Sequence, residues 1–254
     1  MLFNSIIFGP VKSRRLGVSL GINLLPDNAK ICSFNCIYCE CGYNTAAKGA
    51  HLPTCEEVRN ALEAKLSAMK TAGEKPDVLT FAGNGEPTLH PDFEEIIDDT
   101  IALRNRFFPE AKVCVLCNAT EISKDSVFRA LNKVDSNLLK LDSAIFSTIK
   151  ILNHPNPHFS YEKLIENLKR FCGNLIIQTM FVRGKHNGIT IDNTTETEIS
   201  AWLAALQEIN PKQVMIYTIA RETPEKNLQK VSIEELNNIA ERVKEIGFEV
   251  SVSG

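Results

Sequence analysis

GVSLGINLLPDNAKICSFNCIYCECG, residues 17–42, passes from an apolar run into a knot of cysteines. Gly17–Leu25 predicts a strand, and a loop rich in thiols follows it. Cys32, Cys36 and Cys39 form C-x3-C-x2-C, with Cys41 two residues on. Cys36 and Cys39 are close enough for one turn to aim both at the same metal body, and Cys32 approaches from the preceding segment. Three thiolates on one loop suit three irons of a four-iron cluster, with the fourth iron left open for a ligand. A zinc loop completed by Cys41, His51 or Cys55 is the competing arrangement. Spacing alone leaves both standing.

Outward from the loop, helices and strands alternate. Thr54–Ala72 predicts a helix opened by the capping box Thr54-x-x-Glu57, and Asp77–Ala82 a buried strand. A helix from about Pro91 carries Phe93, Ile96, Ile97 and Ile101 on one face. Lys112–Cys117 predicts a strand, Lys124–Leu131 a helix and Asn137–Asp142 a strand. Tyr161–Phe171 reads as a helix and Asn174–Val182 as a strand. Thr195-x-x-Glu198 opens a helix whose Trp202 turns into the core, Gln213–Ile219 is a strand, and Ser232-x-x-Glu235 opens the last helix before an edge strand at Phe248–Val252. Short, continuously apolar strands between helices are the pattern of a parallel sheet covered by helices. The expected fold is α/β: a partial (open) β/α barrel of about six to seven mostly parallel strands, short of the eight that close a full barrel. It is read as one domain over residues 1–254, and polar Gly184–Thr194 as a mobile loop.

Composition narrows the function. The chain has 254 residues, 44% of them hydrophobic, and a formal net charge of -3, unlike a dedicated nucleic-acid binder. The first ten residues lack the charged n-region and long apolar core of a signal peptide, and no run approaches the ~18 apolar residues of a membrane span. A cytoplasmic protein without membrane association is expected. Its eight cysteines then point to metal binding or catalysis rather than to disulfides. Cys114 and Cys117 fall on opposite faces of their strand, which argues against a shared metal.

A second station is FAGNGEPTLHP, residues 81–91, where a strand gives way to a helix. Gly83 and Gly85 allow close backbone approach to a ligand, Glu86 supplies a carboxylate, and Pro87 removes a donor. Further candidates sit at or in the later strands: Asn118, Lys140, Asp142, Ser143, Gln178 and Tyr217. Polar Gln178 within an apolar strand needs a partner. Arg14 and Arg15 suggest an anion site beside the cysteine loop.

C-x3-C-x2-C with Tyr38 before its last cysteine resembles the cluster loop of the radical SAM superfamily, and GNGEP resembles that family's GGEP motif, with Asn84 as the departure. The resemblance implies a [4Fe-4S] cluster held by Cys32, Cys36 and Cys39. It implies S-adenosyl-L-methionine (SAM) chelated at the open iron and cleaved to a 5′-deoxyadenosyl radical. Gly83, Asn84, Gly85, Glu86, Asn118, Asp142, Ser143, Gln178 and Tyr217 would contact SAM. Cys41 would be no ligand, since a fourth thiolate would block the open iron.

FGPVKSRRLGVSLGINLLP, residues 8–26, and YTIARETPE, residues 217–225, are similar to an Fe–S oxidoreductase branch related to the tRNA wyosine-base-forming enzymes. Those enzymes carry a second cluster on cysteines upstream of the loop. Here no cysteine precedes Cys32, so their reaction is not carried over. The expected activity is radical SAM hydrogen abstraction from an unidentified substrate, a small molecule, RNA or polypeptide. Electrons would come from a partner such as flavodoxin or ferredoxin. Lys140, Gln178 and Gly184–Thr194 are the expected substrate determinants. The alternatives are an activase that installs a glycyl radical on a partner protein, and a non-catalytic zinc or iron–sulfur scaffold.

Overall fold

A computed structural model of the chain describes residues 2–45 and 49–254. Its contacts group into two compact units: Met1–Cys32 with Asn44–Cys117 and Glu121–Asn137, and Ser33–Tyr43 with Asn118–Thr120 and Leu138–Gly254.

The first unit opens with β1 (Ile7–Ser13), antiparallel to β2 (Gly17–Ile22). Helix α1 (Cys55–Thr71), β3 (Val78–Phe81), α2 (Phe93–Phe107), β4 (Lys112–Cys117) and α3 (Asp125–Lys133) follow. β2, β3 and β4 are parallel neighbours, with Leu20 opposite Leu79 and Leu79 opposite Val113. All four residues of β3 are buried, as a strand covered on both faces requires. Sequence reading missed β1, because GPVK breaks the apolar run; its pairing register shifts between Phe8 and Val11. The tight turn from β1 to β2 holds Arg14 and Arg15, and Ser13 Oγ accepts from the Arg15 and Leu16 amides. That turn joins the start of β2, whereas the cysteine loop follows its end.

The second unit takes in β5 (Ser136–Lys140), α4 (Phe146–Asn153), α5 (Tyr161–Lys169), β6 (Ile176–His186), β7 (Ile189–Asp192), α6 (Glu196–Ile209), β8 (Gln213–Thr218), β9 (Leu228–Lys230), α7 (Ile233–Glu245) and β10 (Val250–Ser253). β5, β6, β8 and β10 run parallel in that order. Trp202 of α6 is buried in the core; its indole N–H donates to Thr179 Oγ1 at 3.1 Å and its ring meets Phe181 edge-on. The outer half of β6 is flanked by antiparallel β7 and β9. The mobile loop expected at Gly184–Thr194 is thus a β-hairpin. Its Asn187-Gly188 turn, with φ of 50° and 80°, is a hairpin signal that the polar composition obscured.

The three predicted capping boxes behave differently. Thr54–Glu57 and Ser232–Glu235 close reciprocally. At α6, Thr195 accepts from the Glu198 amide, but the Glu198 carboxylate turns away to accept from Ser143 Oγ at 2.6 Å and from Thr148 Oγ1.

Candidate metal and cofactor site

In the first unit the GNGEP turn is bound to the residue before the first loop cysteine. The Ile31 amide donates to the Asn84 carbonyl at 3.0 Å, and the Glu86 amide donates to the Ile31 carbonyl at 3.1 Å. Gly85, at φ +138°, packs so closely that an added Cβ would stand 1.8 Å from the Ile31 carbonyl oxygen. At Gly83, φ +153°, it would stand 2.3 Å from Asn23 Oδ1. Both glycines therefore permit chain to approach chain.

Asn84 takes no left-handed conformation. Its buried amide donates to the Phe3 and Pro26 carbonyls, at 2.7 Å each, and accepts from the Phe3 amide at 2.8 Å. This side chain anchors the N-terminal segment. Glu86, 2% exposed, accepts from the Thr88 amide and hydroxyl through Oε1.

The cysteine loop of the second unit is stitched to the end of α4. Ile37 N–H donates to the Leu152 carbonyl at 3.0 Å, and Asn35 N–H to the Asn153 carbonyl at 2.8 Å. Carbonyls at a helix C-terminus lack intrahelical partners, and the loop supplies them. Two turns fold the thiol segment: Cys39 N–H to the Cys36 carbonyl, and Gly42 N–H to the Cys39 carbonyl. Asn118 Nδ2 donates to Ser33 Oγ at 2.8 Å, while its Oδ1 accepts from the Thr120 amide and hydroxyl. These bonds tie Asn118 to the loop. The segment after β8 adds two ties, Arg221 to Glu40 at 2.9 Å and Glu225 N–H to the Ile37 carbonyl at 3.2 Å. Glu225 in turn accepts His186 Nδ1 at 2.9 Å.

Behind Cys36 lies a charged network. Asn153 Nδ2 stands 3.4 Å from Cys36 Sγ and donates to Asp142 Oδ2 at 2.7 Å. The Tyr38 hydroxyl also donates to Asp142 Oδ2. Lys140 Nζ donates to Tyr38 Oη at 2.9 Å, lies 3.6 Å from Asp142 Oδ2, and is hydrogen-bonded by the Tyr217 side chain. Met180 N–H donates to Asp142 Oδ1 at 2.9 Å. Burial pushes the Cys36 thiol up, opposed by the Lys140 charge and the Asn153 bond. The Tyr38 phenol is pushed well up, first by burial and then by Asp142. Burial works against the Lys140 ammonium, but Asp142, Tyr217 and Cys36 outweigh it and raise its pKa. Lys140 is a fixed cation.

Four residues expected at SAM also have partners within the protein. Asp142 has no exposed side-chain surface and is engaged on both oxygens. Ser143 Oγ donates to Glu198 and accepts from the Ile145 amide. Gln178 is buried, with Nε2 donating to the Leu138 carbonyl. Tyr217 faces Lys140. Gln178 is buried and the Lys140 side chain is 13% exposed. Arg183, Lys185, Asp192, Lys226, Asn227 and Gln229 help to line a polar groove of about 520 Å³. Sequence reading noticed that Lys140 and Asp142 alternate on one face, but missed Asn153, Glu198 and Glu225. Asn153 carries no local signal, and the local signal at Glu198, its capping box with Thr195, pointed to a helix start and not to its partners Ser143 and Thr148.

The donor set fits a thiolate-held cluster: three reduced cysteines on one loop, one of them met by an N–H donor and a buried cation. It does not favour zinc. His51 Nε2 is bonded to Glu57 at 2.9 Å. The Cys55 thiol is pushed up to about 11 by burial and by Glu95 and Asp92. Among the described residues no three His, Cys, Asp or Glu side chains converge as ligands of a single ion would, whereas a four-iron cluster takes each thiolate at a different iron. Cys114, pushed up to about 12 by burial, is a core residue, and Cys117 Sγ lies 3.9 Å from Thr88 Oγ1.

Comparison with known proteins places the chain. The family model described as the Radical SAM superfamily matches residues 29–198. The chain is 28% identical over 236 residues to a protein named GTPase Obg from Brachyspira hyodysenteriae, covering 91% of this chain but only 32% of that one; it spans about a third of that relative. It is 30% identical over 249 residues to a UPF0026 protein of Methanocaldococcus jannaschii, covering 95% of this chain and 72% of the relative. Among solved structures, a radical SAM methyltransferase from Sphaerobacter thermophilus superposes with a TM-score of 0.67 at 14% identity, over 92% of this chain and 65% of that one. TYW1 with a lysine-pyruvate adduct gives 0.66 at 16% identity, over 89% and 73%. Both share the fold, an α/β partial barrel of mostly parallel strands. Among the described residues no helix is long and apolar enough to cross a membrane.

Proposed function

The chain belongs to the Radical SAM superfamily and aligns with its UPF0026 relatives, and from that premise we propose that Cys32, Cys36 and Cys39 hold a [4Fe-4S] cluster that serves SAM-dependent hydrogen abstraction. When bound, the cluster supplies the electron that converts SAM to a 5′-deoxyadenosyl radical. The observation that carries the reading is the Cys36 environment: a reduced thiol with the Asn153 donor at its sulfur and the Lys140 charge behind it. The donor and the charge oppose the burial that pushes this thiol up.

The chain's own residues then divide the work. Asn118, through the Ser33 hydroxyl, and the α4 carbonyls, through the Asn35 and Ile37 amides, hold the loop. Tyr38, fixed from behind by Asp142 and Lys140, sets the loop's aromatic position. Glu86, preset by Thr88, is the proposed partner for the amino group of SAM. Arg183, Lys185 and Lys226 in the hairpin groove suit an anionic portion of the substrate. Asp142, Ser143, Gln178 and Tyr217 are assigned to the supporting framework.

Anaerobic reconstitution should give about four irons per chain and SAM-dependent release of 5′-deoxyadenosine under a low-potential reductant. Alanine at Cys32, Cys36 or Cys39 should abolish iron uptake, and Cys41→Ala should retain it. An intact cluster that neither binds nor cleaves SAM would refute the reading.

A further inference from the structure

One charged group in the second unit stands beside the cysteine loop. Lys140 is a cation set behind Cys36 and Tyr38, with Asp142 as its counter-ion. Its ammonium lies 5.2 Å from the centre of the Tyr38 ring and 2.9 Å from the Tyr38 hydroxyl. Asp142 gathers Tyr38, Asn153, Lys140 and the Met180 amide on two oxygens. Burying an ion pair is rarely a net gain in stability, so a pair kept against a reactive loop invites another explanation.

We infer that Lys140 and Asp142 are positioning residues with opposing electrostatic effects on the group Cys36 holds, Lys140 favouring its reduced state and Asp142 its oxidised state. The inference rests on the function proposed above. One-electron reduction by an external low-potential donor adds a negative charge to the cluster and leaves its bonds to the protein unchanged. A cation held close by in a poorly solvated setting lowers the energy of the more negative state, and an anion raises it. Asn153, bonded to both Asp142 and the Cys36 sulfur, is the physical link between the pair and the ligand.

The test is a redox titration of the reconstituted wild type and of Lys140→Met, Asp142→Asn and Lys140→Arg, followed by electron paramagnetic resonance of the reduced cluster. Lys140→Met should move the midpoint to more negative potential by about a tenfold change in the reduced-to-oxidised ratio, 59 mV for one electron. Asp142→Asn, which keeps the shape and the Met180 bond, should move it the other way. Lys140→Arg, which keeps the charge, should stay near wild type. A purely structural role predicts lost iron, with shifts, if any, of one sign. Shifts of the same sign, or none, in variants loaded to wild-type iron content would overturn the inference. If Lys140→Met takes up no iron, the Asp142→Asn and Lys140→Arg arms still decide. A wild type that binds no cluster would instead defeat the proposed function, so the two failures are distinct.

Discussion

The GNGEP turn and the LKLDS strand end both resemble ligand stations, yet they are built on opposite principles. At Gly83–Glu86 the backbone does the work: the turn hydrogen-bonds Ile31 and tolerates no Cβ at Gly85. At Lys140–Ser143 the side chains do it, drawing on Tyr38, Asn153, Met180, Glu198 and Tyr217. The contrast teaches that a motif specified by backbone shape shows in the residues themselves. One specified by charge depends on partners that only folding supplies.

Substitutions can break this comparison. Asp142→Ala should have the largest effect, about 4 kcal/mol of unfolding free energy in urea, because it strands Lys140 and the Met180 amide. Gly85→Ala should follow at about 3 kcal/mol, since both its Cβ and its φ are refused; a stable, iron-binding Gly85→Ala would show that the Ile31 contact is dispensable. Asn84→Ala should cost about 2 kcal/mol, because Phe3 and Pro26 lose their partners, with the N-terminal segment becoming protease-sensitive first.

The smallest effect sharpens the contrast between buried and exposed charge. Arg129 and Lys133 hold exposed Glu94 of α2 down to about 2, from 4.5. A carboxylate with a depressed folded pKa contributes stability above its unfolded pKa and loses it as pH falls through the folded value. Glu94→Gln should therefore be slightly less stable than wild type above pH 4.5. The gap should close between there and pH 2, as read from thermal midpoints across that range.

Much of the fold was legible because its signals are local. Thr54, Thr195 and Ser232 begin their helices as capping chemistry requires, and Trp202 is core as its helical spacing implied. Strands β2 to β6, β8 and β10 fall where apolar runs predicted them. What was missed has physical reasons. Helix α4 spans only Phe146–Asn153, too short for periodicity to declare it, and β1 is an interrupted edge. The hairpin over Gly184–Thr194 was hidden by its polar surface, although Asn187-Gly188 was there to be read.

The sequence by itself determined the chemistry on offer: C-x3-C-x2-C on one short loop, no local fourth ligand that the family pattern would use, and an alternation of strands and helices that only a mostly parallel sheet satisfies. Tertiary structure alone decided which polar residues face one another. Asp142, Ser143, Gln178 and Tyr217 were expected at SAM, and folding also gives each a partner within the protein. The reason is the desolvation of buried polar groups: a carboxylate or ammonium removed from water must find a partner. That partner is chosen by the packing of residues far apart in the chain.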